Sequence, residues 1–163
     1  MTFETLYARY SRDVHRFALY LSGDRALADD ITSETFLRAW SAAAPIREAT
    51  VKSYLFAIAR NVYLAEVRRS KRHVELTDSM PSQAAGHDER LDQQAAVHAV
   101  MRALRQLPEV DRAALLMRAQ AEMSYEEIAR ALRLSLSNAK VKVHRARLKL
   151  STLLPDIPRT VLP

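Results

Sequence analysis

Between Lys140 and Lys149 the chain carries five cations and no acid: Lys140, Lys142, Arg145, Arg147 and Lys149, with His144 among them. Such a run neutralises phosphates, provided that a rigid element holds the cations along one groove. Ala139, Val143, Ala146 and Leu150 recur at steps of four, three and four, which defines a buried helical stripe. Lys140, His144 and Arg147 then flank one side of that stripe, and Lys142, Arg145 and Lys149 flank the other. Ser137 and Asn138, in the first turn, are short polar residues able to reach phosphates or base edges.

Two further groups could do chemistry. Asp29 and Asp30 are adjacent carboxylates, but on a helix they point about 100° apart, and no histidine stands at ligand spacing from either. They complement a helix dipole or form part of an acidic docking face, and composition does not choose between these. The third group is Tyr54 to Asn61, followed by Arg68, Arg69, Lys71 and Arg72. Aromatics beside cations and an amide suit unpaired bases, which stack on rings and offer free edges. Leu55, Ile58 and Phe56 read as core.

The elements that must position these groups are helical. The chain of 163 residues has two glycines and no Asn-Gly or Asp-Gly, which leaves few sites for hairpin turns. At 48% hydrophobic and 27% charged residues it can form a core and remain soluble. A first helix carries Phe3, Leu6, Tyr7, Tyr10, Val14, Phe17, Ala18 and Leu21 on one face, and Gly23 ends it. Asp24 caps a second helix to about Trp40, with Leu27, Ile31, Thr35 and Ala39 in one stripe and Phe36 and Trp40 in an aromatic one. Pro45 places residues 41–50 in a loop. Thr50 caps a third helix to about Lys71, with Leu55, Ile58, Val62 and Ala65 inward.

Residues 73–94 lose this period among Ser, Asp, Gln, Pro81 and Gly86. The reading is an all-α protein of two small domains, 1–72 and 98–154, joined by a flexible linker over 73–97. Helical periodicity resumes near Leu91 and restarts at Pro108, whose missing N–H costs nothing in a first turn. Ser124 and Glu127 form a capping box for a short helix over Tyr125 to Leu132. Arg133-Leu134 makes a turn, and Ser135 caps the basic helix. A short capped helix, a tight turn and a longer basic helix make a helix-turn-helix, with Ala129 small enough for close approach. Residues 98–163 hold 12 Lys/Arg against 6 acids, so most of the net charge of +6 lies where a polyanion would bind.

The order ADDITSETFLRAW, YLFAIARN, RRSKR, a linker, LRQLPEVDRAALLMRA and MSYEEIARALRLSLSNAKVKVHRARLKL resembles the extracytoplasmic-function sigma factors over nearly the whole chain. The resemblance implies a DNA-binding subunit that docks on core RNA polymerase and starts transcription at promoters. By it, Asp29, Asp30, Thr32, Glu34, Thr35, Phe36 and Trp40 belong to a polymerase-docking helix. Arg60 and Asn61, with Arg68 and Arg69, would hold the melted downstream (minus-ten) element. Ser137, Asn138, Lys140, Lys142, His144, Arg145 and Arg147 would read the upstream (minus-thirty-five) element. An anti-sigma factor is the implied regulatory partner. The chain departs from the family at Tyr54, where Trp is usual, at Arg133 in place of a turn glycine, and at Ser137-Asn138-Ala139 in place of Gly-Thr-Val.

Other function classes find less support. A regulator that joins a helix-turn-helix to a helical sensing domain would share the C-terminal pattern but bind duplex DNA alone. An enzyme would need a constellation that is missing: the five histidines (His15, His73, His87, His98 and His144) lack metal-ligand spacing, and neither glycine precedes Lys-Ser/Thr. No catalytic residue, metal or cofactor is expected. Cysteine is absent, no apolar run reaches the roughly 20 residues of a membrane span, and the first residues do not resemble a signal peptide. A cytoplasmic protein without membrane insertion is the expectation.

Overall fold

Gly23 breaks the first amphipathic run as its sequence predicts: it lies in the left-handed region at φ 71° and donates its N–H to Leu19 O. The computed structural model describes residues 1–42, 45–77 and 91–155, and side chains within these ranges except those of 75–77 and 91–93. Helix α1 (Phe3–Ser22) is followed by α2 (Arg25–Ser41), whose first turn Asp24 caps by accepting the Leu27 N–H. A 3-10 turn over Glu48–Thr50 leads into α3 (Val51–Thr77). Then come α4 (Leu91–Arg105), α5 (Glu109–Ala119), α6 (Tyr125–Leu132) and α7 (Leu136–Leu153). No strand occurs among the described residues.

Helices α1, α2 and α3 pack together around Leu6, Val14, Phe17, Leu21, Ile31, Phe36, Leu55 and Phe56, each no more than 1% exposed. Phe17 and Phe56 meet edge to face with ring centroids 5.0 Å apart. Helices α5, α6 and α7 extend the same hydrophobic cluster through Leu115, Leu116, Met117, Met123 and Ile128. Burying each such large apolar side chain stabilises by roughly 1.5–3 kcal/mol. Against α5 and α6 lies the stripe of α7, where Ala139, Val143, Ala146 and Leu150 are buried as their spacing predicts.

The structure changes several expectations. Tyr7, placed on the inward stripe, is 46% exposed, with its ring meeting Phe36 edge to face at 5.1 Å. The third helix runs past Lys71 to Thr77, into the predicted linker, while α4 starts at Leu91, where the helical periodicity resumes. Residues 78–90 of that linker, and the tail from residue 156, lie outside the described residues. The two helical groups also pack on each other, α1 against α4 and α5, and α3 against α6.

Arg133 occupies the turn of the helix-turn-helix at φ 54°, ψ 47°, with its N–H on Ala129 O and Arg130 O. A side chain there is strained, since Cβ crowds the following carbonyl. The Arg133 side chain is exposed. Arg133→Gly is therefore expected to stabilise the fold by up to about 1 kcal/mol. A raised denaturant midpoint at unchanged slope is the expected sign. A lowered midpoint would show that the gain in unfolded-chain entropy wins.

Candidate nucleic-acid interface

The entry to α7 is built by three short-range devices. Ser124 Oγ accepts from Glu127 N (3.1 Å) while Glu127 Oε1 accepts from Ser124 N (2.9 Å), the complete capping box. Leu134 N donates to Ala129 O at 2.9 Å and closes the turn. Ser135 Oγ accepts from Asn138 N at 3.1 Å and starts α7. Satisfying these end groups fixes the angle at which α7 leaves α6.

Along α7 the cations sort by environment. Lys140, His144, Arg145, Arg147 and Lys149 are exposed, and among the described residues none forms an ion pair. Ser137 and Asn138 are exposed in the first turn. Lys142 differs. Its Nζ lies 3.5 Å from Oδ1 of Asp111, which is 7% exposed, so this cation ties α7 to α5. Lys142, expected as a groove contact, thus has its charge engaged by a buried acid that has no hydrogen bond at that oxygen.

Sequence reasoning missed Tyr125 and Arg118. The Arg118 guanidinium carbon sits 4.4 Å from the Tyr125 ring centre and its Nη1 donates to Met123 O, while Lys140 Nζ lies 5.8 Å over the same ring. This arrangement joins the end of α5 to the starts of α6 and α7 through cation–π contacts. Only the capping box at Ser124 hinted at it, by placing Tyr125 in the first turn.

In the other helical group, Asp29, Asp30, Ser33, Leu37 and Trp40 form an exposed face on α2, with Leu37 59% and Trp40 52% exposed. Asp29 accepts from His15 at 2.8 Å, and Glu34 pairs with Arg38 at 2.8 Å. Phe3 packs edge-on against Trp40 at 5.5 Å, extending the apolar part of this face onto α1. Thr32, Thr35 and Phe36 are corrected as direct docking residues, being 6%, 0% and 1% exposed. Both threonine hydroxyls donate back to carbonyls one turn earlier, Ala28 O and Ile31 O, at 2.7 Å. Leu37 lies on the surface of α2 where Phe36 does not.

On α3, Asn61, Arg68 and Arg69 are exposed, Arg69 with Glu66 at 2.8 Å. Arg60 is not free. Its Nε and Nη2 donate to the two carboxylate oxygens of Glu109, both at 2.7 Å, and the two side chains are 17% and 20% exposed. In this arrangement Glu109 occupies the Arg60 guanidinium, which was expected to contact the melted strand. Among the described residues no group of three or more His, Cys, Asp or Glu could hold a metal ion, and no helix is long and apolar enough to cross a membrane.

A basic helix-turn-helix next to a separate three-helix unit with its own exposed docking face defines a two-part, helical DNA-binding subunit. Residues 6–73 match the family model for Sigma-70 region 2, and residues 98–150 match that for Sigma-70, region 4. The chain belongs to the extracytoplasmic-function sigma factors of RNA polymerase. It is 32% identical over 160 residues to the sigma factor SigM of Bacillus subtilis (strain 168), covering 94% of this chain and 95% of that one. Similarity to EcfG of Rhodopseudomonas palustris (strain TIE-1) is 35% over 147 residues, covering 85% and 77%. Among solved structures, the sigma factor RpoE in complex with the anti-sigma factor NepR from Bartonella quintana superposes with a TM-score of 0.80 at 26% identity, over 96% of this chain and 98% of that one. CnrH, in complex with the cytosolic domain of CnrY, shares the fold at a TM-score of 0.73 and 24% identity, over 96% and 89%.

Proposed function

We propose that this sigma factor acts in the cytoplasm, binding core RNA polymerase through α2, reading the upstream promoter element with α7, and capturing the melted downstream strand with α3. The observation that carries the reading is the row of exposed cations on α7, Lys140, Arg145, Arg147 and Lys149, with His144 among them and none in an ion pair among the described residues, on a helix whose apolar stripe is buried against its own domain. Cations so placed line both walls of a major groove. Ser137 and Asn138 lead the helix and reach toward base edges.

Asp29, Asp30, Glu34, Leu37 and Trp40 supply the polymerase contact, acids around an apolar centre, as protein interfaces commonly have. Asn61, Arg68, Arg69 and, once released, Arg60 hold the non-template strand. No covalent step is involved. Polymerase would hold both domains on one DNA face, where two weak contacts act as one strong one through effective concentration. Melting follows from capture of unstacked bases, an exchange of a few kcal/mol. The RpoE structure contains the anti-sigma factor NepR, and control by an anti-sigma partner is part of the proposal.

Asn61→Ala tests the strand-capture role. Open-complex formation, read by permanganate reactivity of unpaired thymines, is expected to fall while upstream-element binding persists. Equal loss of both would make Asn61 a structural residue.

A further inference from the structure

The two groups of helices share one continuous hydrophobic cluster, and the polar contacts between them come mostly from cations. Lys52 Nζ donates to Ala121 O and Ser53 Oγ to Glu127 O, both at 2.9 Å, fastening the start of α3 to α6 and the loop before it. Arg60 forms its bidentate pair with Glu109 two turns further along α3. At the other edge, Arg112 Nη1 donates to Leu21 O at 3.0 Å, and Arg105 donates to Ser22 O. These two carbonyls end α1, which has no basic residue in its last turn, so the neighbouring helices supply the cations its dipole favours there. A Cβ on Gly23 would lie 2.8 Å from Arg105 Nη1, so glycine also clears the guanidinium's path.

Of the four cations in this contact, only Arg60 meets an acid among the described residues. Arg112 is 6% exposed, has no partner at Nε and faces the Tyr63 ring at 6.0 Å, so its desolvation is not offset by any carboxylate in the contact. Arg60 and Glu109, each about four-fifths buried, are weakly screened, and their parallel N–H···O pair is the geometry in which arginine also binds phosphate.

We infer that Glu109 is an internal stand-in for a DNA phosphate: it occupies Arg60, closes the two domains on each other, and keeps the strand-capturing start of α3 covered until a competing contact separates them. The inference rests on the proposed strand contact of Arg60. Opening releases Lys52, Arg60, Arg105 and Arg112 to solvent, so a polyanion that binds these cations only in the open form pulls the equilibrium toward it.

The absence of cysteine from the sequence makes the test direct, because dyes can be placed on Ser33→Cys and Ser151→Cys alone. In the full chain, Glu109→Gln is expected to lower energy transfer between the dyes. It should also raise affinity for a labelled single-stranded DNA by about tenfold, the worth of a charge-assisted pair. In an Arg60→Gln background that gain should vanish. An excess of unlabelled single-stranded DNA should lower transfer in the parent chain, a readout that needs no substitution at the contact. Unchanged transfer in a natively folded Glu109→Gln chain would overturn the inference, as would opening without a gain in strand affinity. Initiation by the parent chain with core polymerase is a separate readout: its failure would remove the promoter function and leave the closed contact as measured.

Discussion

Arg145→Ala is expected to weaken binding to a duplex carrying the upstream element by tenfold or more, a cost of about 1–3 kcal/mol. Arg145 is exposed on α7, has no ion pair among the described residues, and sits one residue from the buried Ala146, so the substitution leaves the packed stripe untouched. If the contact is to phosphate, the dependence of log affinity on log salt becomes shallower by about one. If it is to a base edge, the slope persists and discrimination among sequences falls. Fluorescence anisotropy across a salt series separates the two, and an unchanged affinity and slope would take Arg145 out of the interface.

Phe17→Ala should have the largest effect on stability, a loss of about 3–5 kcal/mol for an aromatic side chain removed from a packed core. Phe17 is 1% exposed and edge-on to Phe56, so the cavity would open at the centre of the α1–α2–α3 unit. Because that unit carries the exposed face of α2, polymerase binding should fall with the fold, although Phe17 lies beneath that surface. Calorimetry of the full chain checks this. A melting temperature within a degree or two of the parent's would mean that the core repacks around the loss.

What could be read from the residues alone follows their physics. The stripe Ala139, Val143, Ala146 and Leu150 was legible because one helix docks on one core, where period alone decides burial. Gly23 and the Ser124–Glu127 box were legible because helix ends demand particular groups. Period fails where the neighbour stops short. Phe36 and Trp40, four residues apart, share a face of α2, yet one is 1% and the other 52% exposed. Likewise Tyr7 follows the α1 stripe into solvent.

A motif also cannot separate residues that shape a helix from those on its surface, hence Thr32, Thr35 and Phe36 among the expected docking residues. Arg60 and Glu109 stand 49 positions apart, and no local pattern joins them once each is assigned to its own domain. The end of α3 was misplaced because a cationic run resembles a helix terminus, whereas no glycine or proline stops the helix before Thr77. Lys142 looked like its neighbours on α7; Asp111, on another helix, makes it different.

Run-off transcription with core RNA polymerase and this chain as the only sigma factor tests the central claim most directly. A pooled library of genomic promoter fragments should yield discrete transcripts that disappear when the chain is omitted. Duplex binding without any transcript from the pool would contradict the account and leave a free-standing DNA-binding protein in its place.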